Sequence, residues 1–134
     1  MNDINAAIGL VQLAKLEQMN QKRFKISNVY TKELSGIGDI QVPVRKSFVT
    51  KPSCHNYVIK TSQRNKLNEF LAKKGISTGV HYIPNNLYKM YKSFKGQTPI
   101  AHRVWKNILT LPLYPDLKSN EVDYIIQSIK EFYC

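Results

Sequence analysis

The stretch GVHYIPNNLYKMYK, residues 79–92, sets His81 and Tyr82 side by side at the end of an apolar run, just ahead of a turn carrying Pro84 and two asparagines. Polar rings in such a place mark the rim of a pocket, because an imidazole and a phenol can each donate or accept a hydrogen bond. The alternative is a satisfied structural histidine at His81 and a core aromatic at Tyr82. Chemistry beyond binding finds no support in motifs. GxGxxG, GxxxxGK[ST], GxSxG and HExxH are all absent, and His55, His81 and His102 each stand apart from a Cys or Ser with a supporting carboxylate, so no nucleophilic triad is expected. Cys54 and Cys134 lie far apart and no cluster has metal-ligand spacing. They read as free thiols of a reducing compartment, and no metal site is expected.

The elements that must position these rings follow from periodicity and turn chemistry. From Asn2 to about Leu34, Ile4, Ile8, Val11, Met19, Ile26 and Tyr30 recur at helical steps, and the glycines of SGIG, residues 35–38, supply a stop. A helix of about 30 residues is some 45 Å long and reaches beyond a domain of this size. Its first turns, rich in Ala6, Ala7 and Gly9, suit close packing against another backbone. DIQVPV, CHNYVIKT and ISTGVHYI read as three strands, with Pro43 favouring an edge. Between the last two, a helix with Leu67, Phe70 and Leu71 on one face starts at an N-cap Ser62 and stops at Gly75. TPIAHRVWKNIL is a helix opened by Pro99, TLPLYPDL is extended around its two prolines, and a C-terminal helix capped by Ser119 buries Val122, Ile125, Ile126 and Ile129.

Size and charge bound the rest. With 134 residues, 43% of them hydrophobic, the chain can bury a core of its own. Its apolar runs fall far short of the roughly 20 residues that span a bilayer, and no signal peptide opens it, so a cytoplasmic protein without a membrane partner is expected. The net charge of +11 is spread over lysines scattered singly or in pairs. Without a dense arm or a recognised nucleic-acid motif, it reads as a solvated surface or as one half of a protein whose other half is acidic, not as a nucleic-acid partner.

Three segments in order, MNDINAAIGLVQLAKLE, GISTGVHYIP and NILTLPLYPDL with EVDYIIQSIKEF, resemble the C-terminal part of the DegT/DnrJ/EryC1/StrS family of pyridoxal-phosphate-dependent sugar aminotransferases. The resemblance implies an α+β fold: the small C-terminal domain of a fold-type-I, aspartate-aminotransferase-like enzyme. Residues 1–35 would form a long interdomain helix, and residues 36–134 a small antiparallel sheet with helices packed on it. The complete enzyme would be a homodimer that moves an amino group from glutamate onto a nucleotide-linked keto sugar. Pyridoxal phosphate would form a Schiff base with a lysine of the large domain. An Asn and an Arg that reach the partner's site lie ahead of the position of Met1.

By the same resemblance, none of Lys60, Lys73 and Lys74 occupies the Schiff-base position, so this chain alone is expected to carry no catalytic residue, to bind no cofactor and to be inactive. His81 and Tyr82 match a substrate-facing His-Tyr pair, with Asn86 a third substrate-binding position where many members carry a second His. An amide there keeps a hydrogen bond but cannot titrate. His55 matches a structural histidine. A second possibility is a non-catalytic remnant acting as a binding or assembly module.

Overall fold

The computed structural model describes residues 2–50, 52–94 and 98–134; Met1, at which the resemblance places the start of the matched part, lies outside them. Its elements run α1 (Asp3–Leu34), β1 (Tyr57–Lys60), α2 (Arg64–Lys73), α3 (Pro99–Asn107), β2 (Ile108–Leu111) and α4 (Ser119–Tyr133). Short 3-10 turns at Asn85–Leu87 and Lys89–Phe94 follow the His81 segment.

Among the described residues the sheet is antiparallel and holds β1, one of the three expected strands, and β2, which falls where the sequence predicts a helix end and an extended segment, in the register Tyr57↔Leu111 through Lys60↔Ile108. The other two expected strands flank it on the correct edges, but each is reduced to a single bridge, Gln41 to Lys60 and Gly79 to Thr110. Proline explains both corrections. Gln41 exchanges two backbone bonds with Lys60, at 2.9 and 3.0 Å. The next residue facing β1 is Pro43, which has no N–H to continue the ladder. On the opposite edge Gly79 exchanges bonds of 3.0 and 2.7 Å with Thr110, and the position two residues beyond Thr110 is Pro112.

Residues alternate between the two faces of a strand. Tyr57, Ile59, Leu109 and Leu111 share the face that joins Leu67 and Leu71 of α2, Val122, Ile125, Ile126 and Ile129 of α4, and Tyr30 and Leu34 of α1 in one apolar cluster. The Tyr30 hydroxyl donates to the Pro112 carbonyl at 3.0 Å, and its ring packs 5.1 Å from that of Tyr57. Ile108 and Thr110 occupy the other face, outside that cluster, yet both are buried. All four residues of β2 are therefore inside the protein.

Helix ends depart from expectation in three places. Gln63 is the N-cap residue of α2, because Ser62 instead turns its N–H and hydroxyl to Asp39. Helix α3 ends at Asn107, since Ile108 and Leu109 belong to β2. Helix α4 is capped one residue early: the Glu121 carboxylate accepts the Lys118 backbone N–H at 2.8 Å, the carboxylate half of a capping box. Past the end of α1, Gly38 has φ +50°, and a Cβ there would fall inside the Tyr133 ring. The SGIG stop is thus also the seat of the C-terminal helix.

Helix α1 covers about 48 Å at 1.5 Å per residue. The Asn2 side chain caps it by accepting the Asn5 N–H at 2.9 Å. Only its last third is anchored. From Asp3 to Gln18 every residue except Ala6 is exposed, including Ile4 at 72%, Leu10 at 70% and Leu13 at 66%. An apolar surface of this extent on an isolated chain finds a partner. Sedimentation equilibrium of this chain is expected to show a mean mass that rises with concentration. A mass that stays monomeric at high concentration would contradict self-association through α1.

Candidate functional site

Thr110 builds the site from the sheet outwards. It is 6% exposed, on the face turned away from the α2 and α4 layer. Its backbone clamps Gly79 by both N–H and C=O, and its hydroxyl lies 2.9 Å from Nδ1 of His81. The imidazole lies against Gly79, where a Cβ would come within 2.7 Å of Cε1. Any side chain at position 79 would therefore displace the ring. His81 itself is exposed, and Tyr82, joined to it by a cis peptide bond, is 75% exposed with its ring set edge-on to the imidazole at 4.9 Å. The two rings form an open, polar and aromatic rim over a rigid floor. Such a pair can hydrogen-bond hydroxyl or phosphate oxygens and stack on a planar ring.

Asn86 sits differently. It is buried, with its Nδ2 donating to the Thr98 hydroxyl at 2.9 Å and its Oδ1 3.1 Å from Nε2 of His102. Both ends of the amide thus tie the 85–87 turn to the start of α3. His102, isolated in the sequence, is one end of that tie, whereas His55 is exposed. His81 and Tyr82 stand side by side at the exposed rim, and Asn86 fixes the turn that follows them. Thr110 and Gly79 went unnoticed as site residues, because a threonine in a strand and a glycine before one are ordinary until the fold brings them under the imidazole.

A second polar centre lies at Asp39. One carboxylate oxygen accepts hydrogen bonds from the hydroxyls of Thr61 (2.6 Å) and Tyr133 (2.9 Å), and the other from the N–H (2.7 Å) and hydroxyl (2.5 Å) of Ser62. Burial works to raise its pKa, yet the bonds from Ser62, Thr61 and Tyr133 outweigh it and hold the carboxyl well below its usual range. Burial, first, and the neighbouring Asp39 push the Tyr133 phenol up to about 12. This is a permanent acceptor tying the loop after α1 to β1 and to α4.

Two cavities of the described residues set a lysine near a carboxylate, and neither fits pyridoxal phosphate. The cavity lined by Lys60 and Arg103 contains Asp39, whose oxygens are already taken and cannot serve a pyridinium nitrogen. The groove between α1 and α4 has Lys22, Lys25 and Asp123 around a floor of Ile26, Val29 and Leu117. There Lys22 pairs with Asp116 at 3.3 Å, and Lys25 stands in water, not in the desolvated setting that makes an amine nucleophilic. Among the described residues no group of His, Cys, Asp or Glu could hold a metal ion, and no helix is long and apolar enough to cross a membrane.

A sequence model of the DegT/DnrJ/EryC1/StrS aminotransferase family matches residues 1–130. The chain belongs to that family. A curated relative, the "Pleiotropic regulatory protein" of Geobacillus stearothermophilus, is 32% identical over 99% of this chain and 37% of its own length. Among solved structures, the aminotransferase TlmJ from Streptoalloteichus hindustanus superposes with a TM-score of 0.91 at 28% identity, over 98% of this chain and 36% of TlmJ. Spr1654 from Streptococcus pneumoniae, described as a candidate sugar aminotransferase and solved in its pyridoxal-phosphate form, gives 0.88 at 34% identity, over 98% and 35%. The chain thus spans little more than a third of the family members it matches, and its fold is that of their C-terminal part.

The Asp39 centre gives a pH prediction. A carboxyl whose pKa is depressed by folding adds stability that is present above the unfolded value of about 3.9 and is lost as pH falls through the folded one. Asp39→Asn is therefore expected to be less stable than the parent chain at neutral pH, with the gap narrowing below about pH 4. Denaturant titrations at neutral pH and near pH 3 measure it. A gap that stays constant would show that the carboxylate charge contributes nothing.

Proposed function

We propose that this chain supplies the C-terminal part of a pyridoxal-phosphate-dependent aminotransferase acting on a nucleotide-linked keto sugar, with glutamate as amino donor. In this reading His81 and Tyr82 are substrate-facing residues. The observation that carries it is the exposed His81–Tyr82 pair held by buried Thr110 within a fold shared with the family's aminotransferases. The cofactor, its Schiff-base lysine and the partner of the ring nitrogen belong to residues beyond this chain, in keeping with the poor fit of Asp39 and the exposed lysines. Alone, the chain is then without transaminase activity.

Residues 1–35 act as the element that packs against the rest of the enzyme or a second subunit, and residues 36–134 as the small domain. The uncovered apolar side of α1 supports this division. The surplus of positive charge suits an acidic neighbour and a phosphate-bearing substrate. Asn86, held between Thr98 and His102, contributes to the substrate region by fixing the turn next to the rim.

Two measurements test the reading. In an active enzyme that contains this chain, His81→Ala is expected to weaken sugar-nucleotide binding by about five- to tenfold, the size of one hydrogen bond, with cofactor affinity unchanged. Equal affinity would return His81 to a structural role. Borohydride reduction of the purified chain with pyridoxal phosphate, followed by peptide mapping, is expected to give scattered, substoichiometric lysine adducts. A single stoichiometric adduct would reveal a cofactor site within the chain.

A further inference from the structure

We propose that Thr110 is a positioning residue that makes His81 a hydrogen-bond donor. The Thr110 hydroxyl donates to Nδ1, so the neutral imidazole carries its proton on Nε2 and offers that N–H to an acceptor oxygen of the ligand, a phosphate or carbonyl oxygen of the sugar nucleotide. The inference deepens the proposed function and takes from it the premise that His81 meets substrate.

The burial of Thr110 decides the direction of the bond. Thr110 is 6% exposed, and its hydroxyl has one hydrogen-bond neighbour among the described residues, Nδ1 of His81 at 2.9 Å. If Nδ1 carried the proton, that bond would make the hydroxyl an acceptor and leave its own proton buried without a partner, an arrangement proteins avoid. The Thr110 carbonyl already accepts the Gly79 N–H, and the Thr110 N–H is spent on the Gly79 carbonyl. Donation to Nδ1 satisfies every group, and the tautomer follows from it.

The same residue sets the ring's place. By clamping Gly79, Thr110 fixes the floor on which the imidazole lies, and the absent Cβ at position 79 lets Cε1 approach it. The Tyr82 ring stands edge-on to the imidazole. Nε2 lies across the five-membered ring from Nδ1, hence turned away from the Thr110 hydroxyl. A neutral ring held this way binds an acceptor but cannot take a proton through Nε2, so His81 recognises substrate and does not serve as a general base in that form.

Ring-nitrogen NMR of the histidine-labelled 134-residue chain, at alkaline pH and without ligand, tests this directly. The chain has three histidines, and His81→Gln identifies the His81 signals by their loss. The expected result is a single Nε2–H tautomer with Nδ1 shifted as a hydrogen-bond acceptor. Thr110→Val should abolish that shift, Thr110→Ser should retain it, and Gly79→Ala should abolish it with the hydroxyl still present. The His55 and His102 signals report that each variant is folded. A proton on Nδ1 in the parent chain overturns the proposal without recourse to any variant, as does a Thr110→Val spectrum unchanged at His81. The sugar-nucleotide titration of His81→Ala fails independently: an intact Nε2–H ring with unaltered affinity removes the substrate role alone, whereas an Nδ1–H ring with weakened affinity removes the role of Thr110 alone.

Discussion

Strand β2 has no free side. Leu109 and Leu111 enter the core that α1, α2 and α4 close, Ile108 and Thr110 are buried on the opposite face, β1 holds one edge, and Gly79 holds the other. A strand enclosed this completely cannot shift register, because a slip of one residue would carry Thr110 into the apolar cluster and Leu109 or Leu111 out of it. The positions of the His81 segment, of the two flanking bridges and of the C-terminal helix all follow from that fixed register.

Rigidity at β2 contrasts with openness on either side. The first half of α1 stands clear of the rest of the chain with its leucines and isoleucines uncovered, and His81 with Tyr82 stands at an open rim. An interior this complete beside edges this open is what the proposed function builds on. The family's solved aminotransferases are almost three times as long as this chain. Their C-terminal part superposes on it.

Much of this organisation was legible in the sequence. The long helix, its SGIG stop, the apolar faces of α2 and α4 and the turn after Ile83 all follow from spacing and from glycine and proline chemistry. The family match was legible from three motifs in order. Of the three expected strands only β1 forms one; the other two shrink to single bridges, since Pro43 and Pro112 each remove an N–H that would have continued pairing, and the central β2 lies where a helix end and an extended segment were expected. Ser62 and Ser119 looked like caps because side-chain hydroxyls usually serve there; Asp39 and Glu121 took over through hydrogen bonds to Ser62 and to the Lys118 backbone.

By itself the sequence determined the helices and the strand β1, the apolar faces of α2 and α4, the adjacency of an imidazole and a phenol after an apolar run, and family membership. These depend on local periodicity and on residue identity. Tertiary structure alone decided that Thr110 and Gly79 support His81, that Asn86 joins Thr98 to His102, and that Asp39 gathers Thr61, Ser62 and Tyr133. Those hydrogen-bonded partners lie between 12 and 94 residues apart along the chain, so no local pattern encodes them. They meet because burial of β2 fixes which side chains face each other, and a buried polar group then takes the partner the packing leaves within reach.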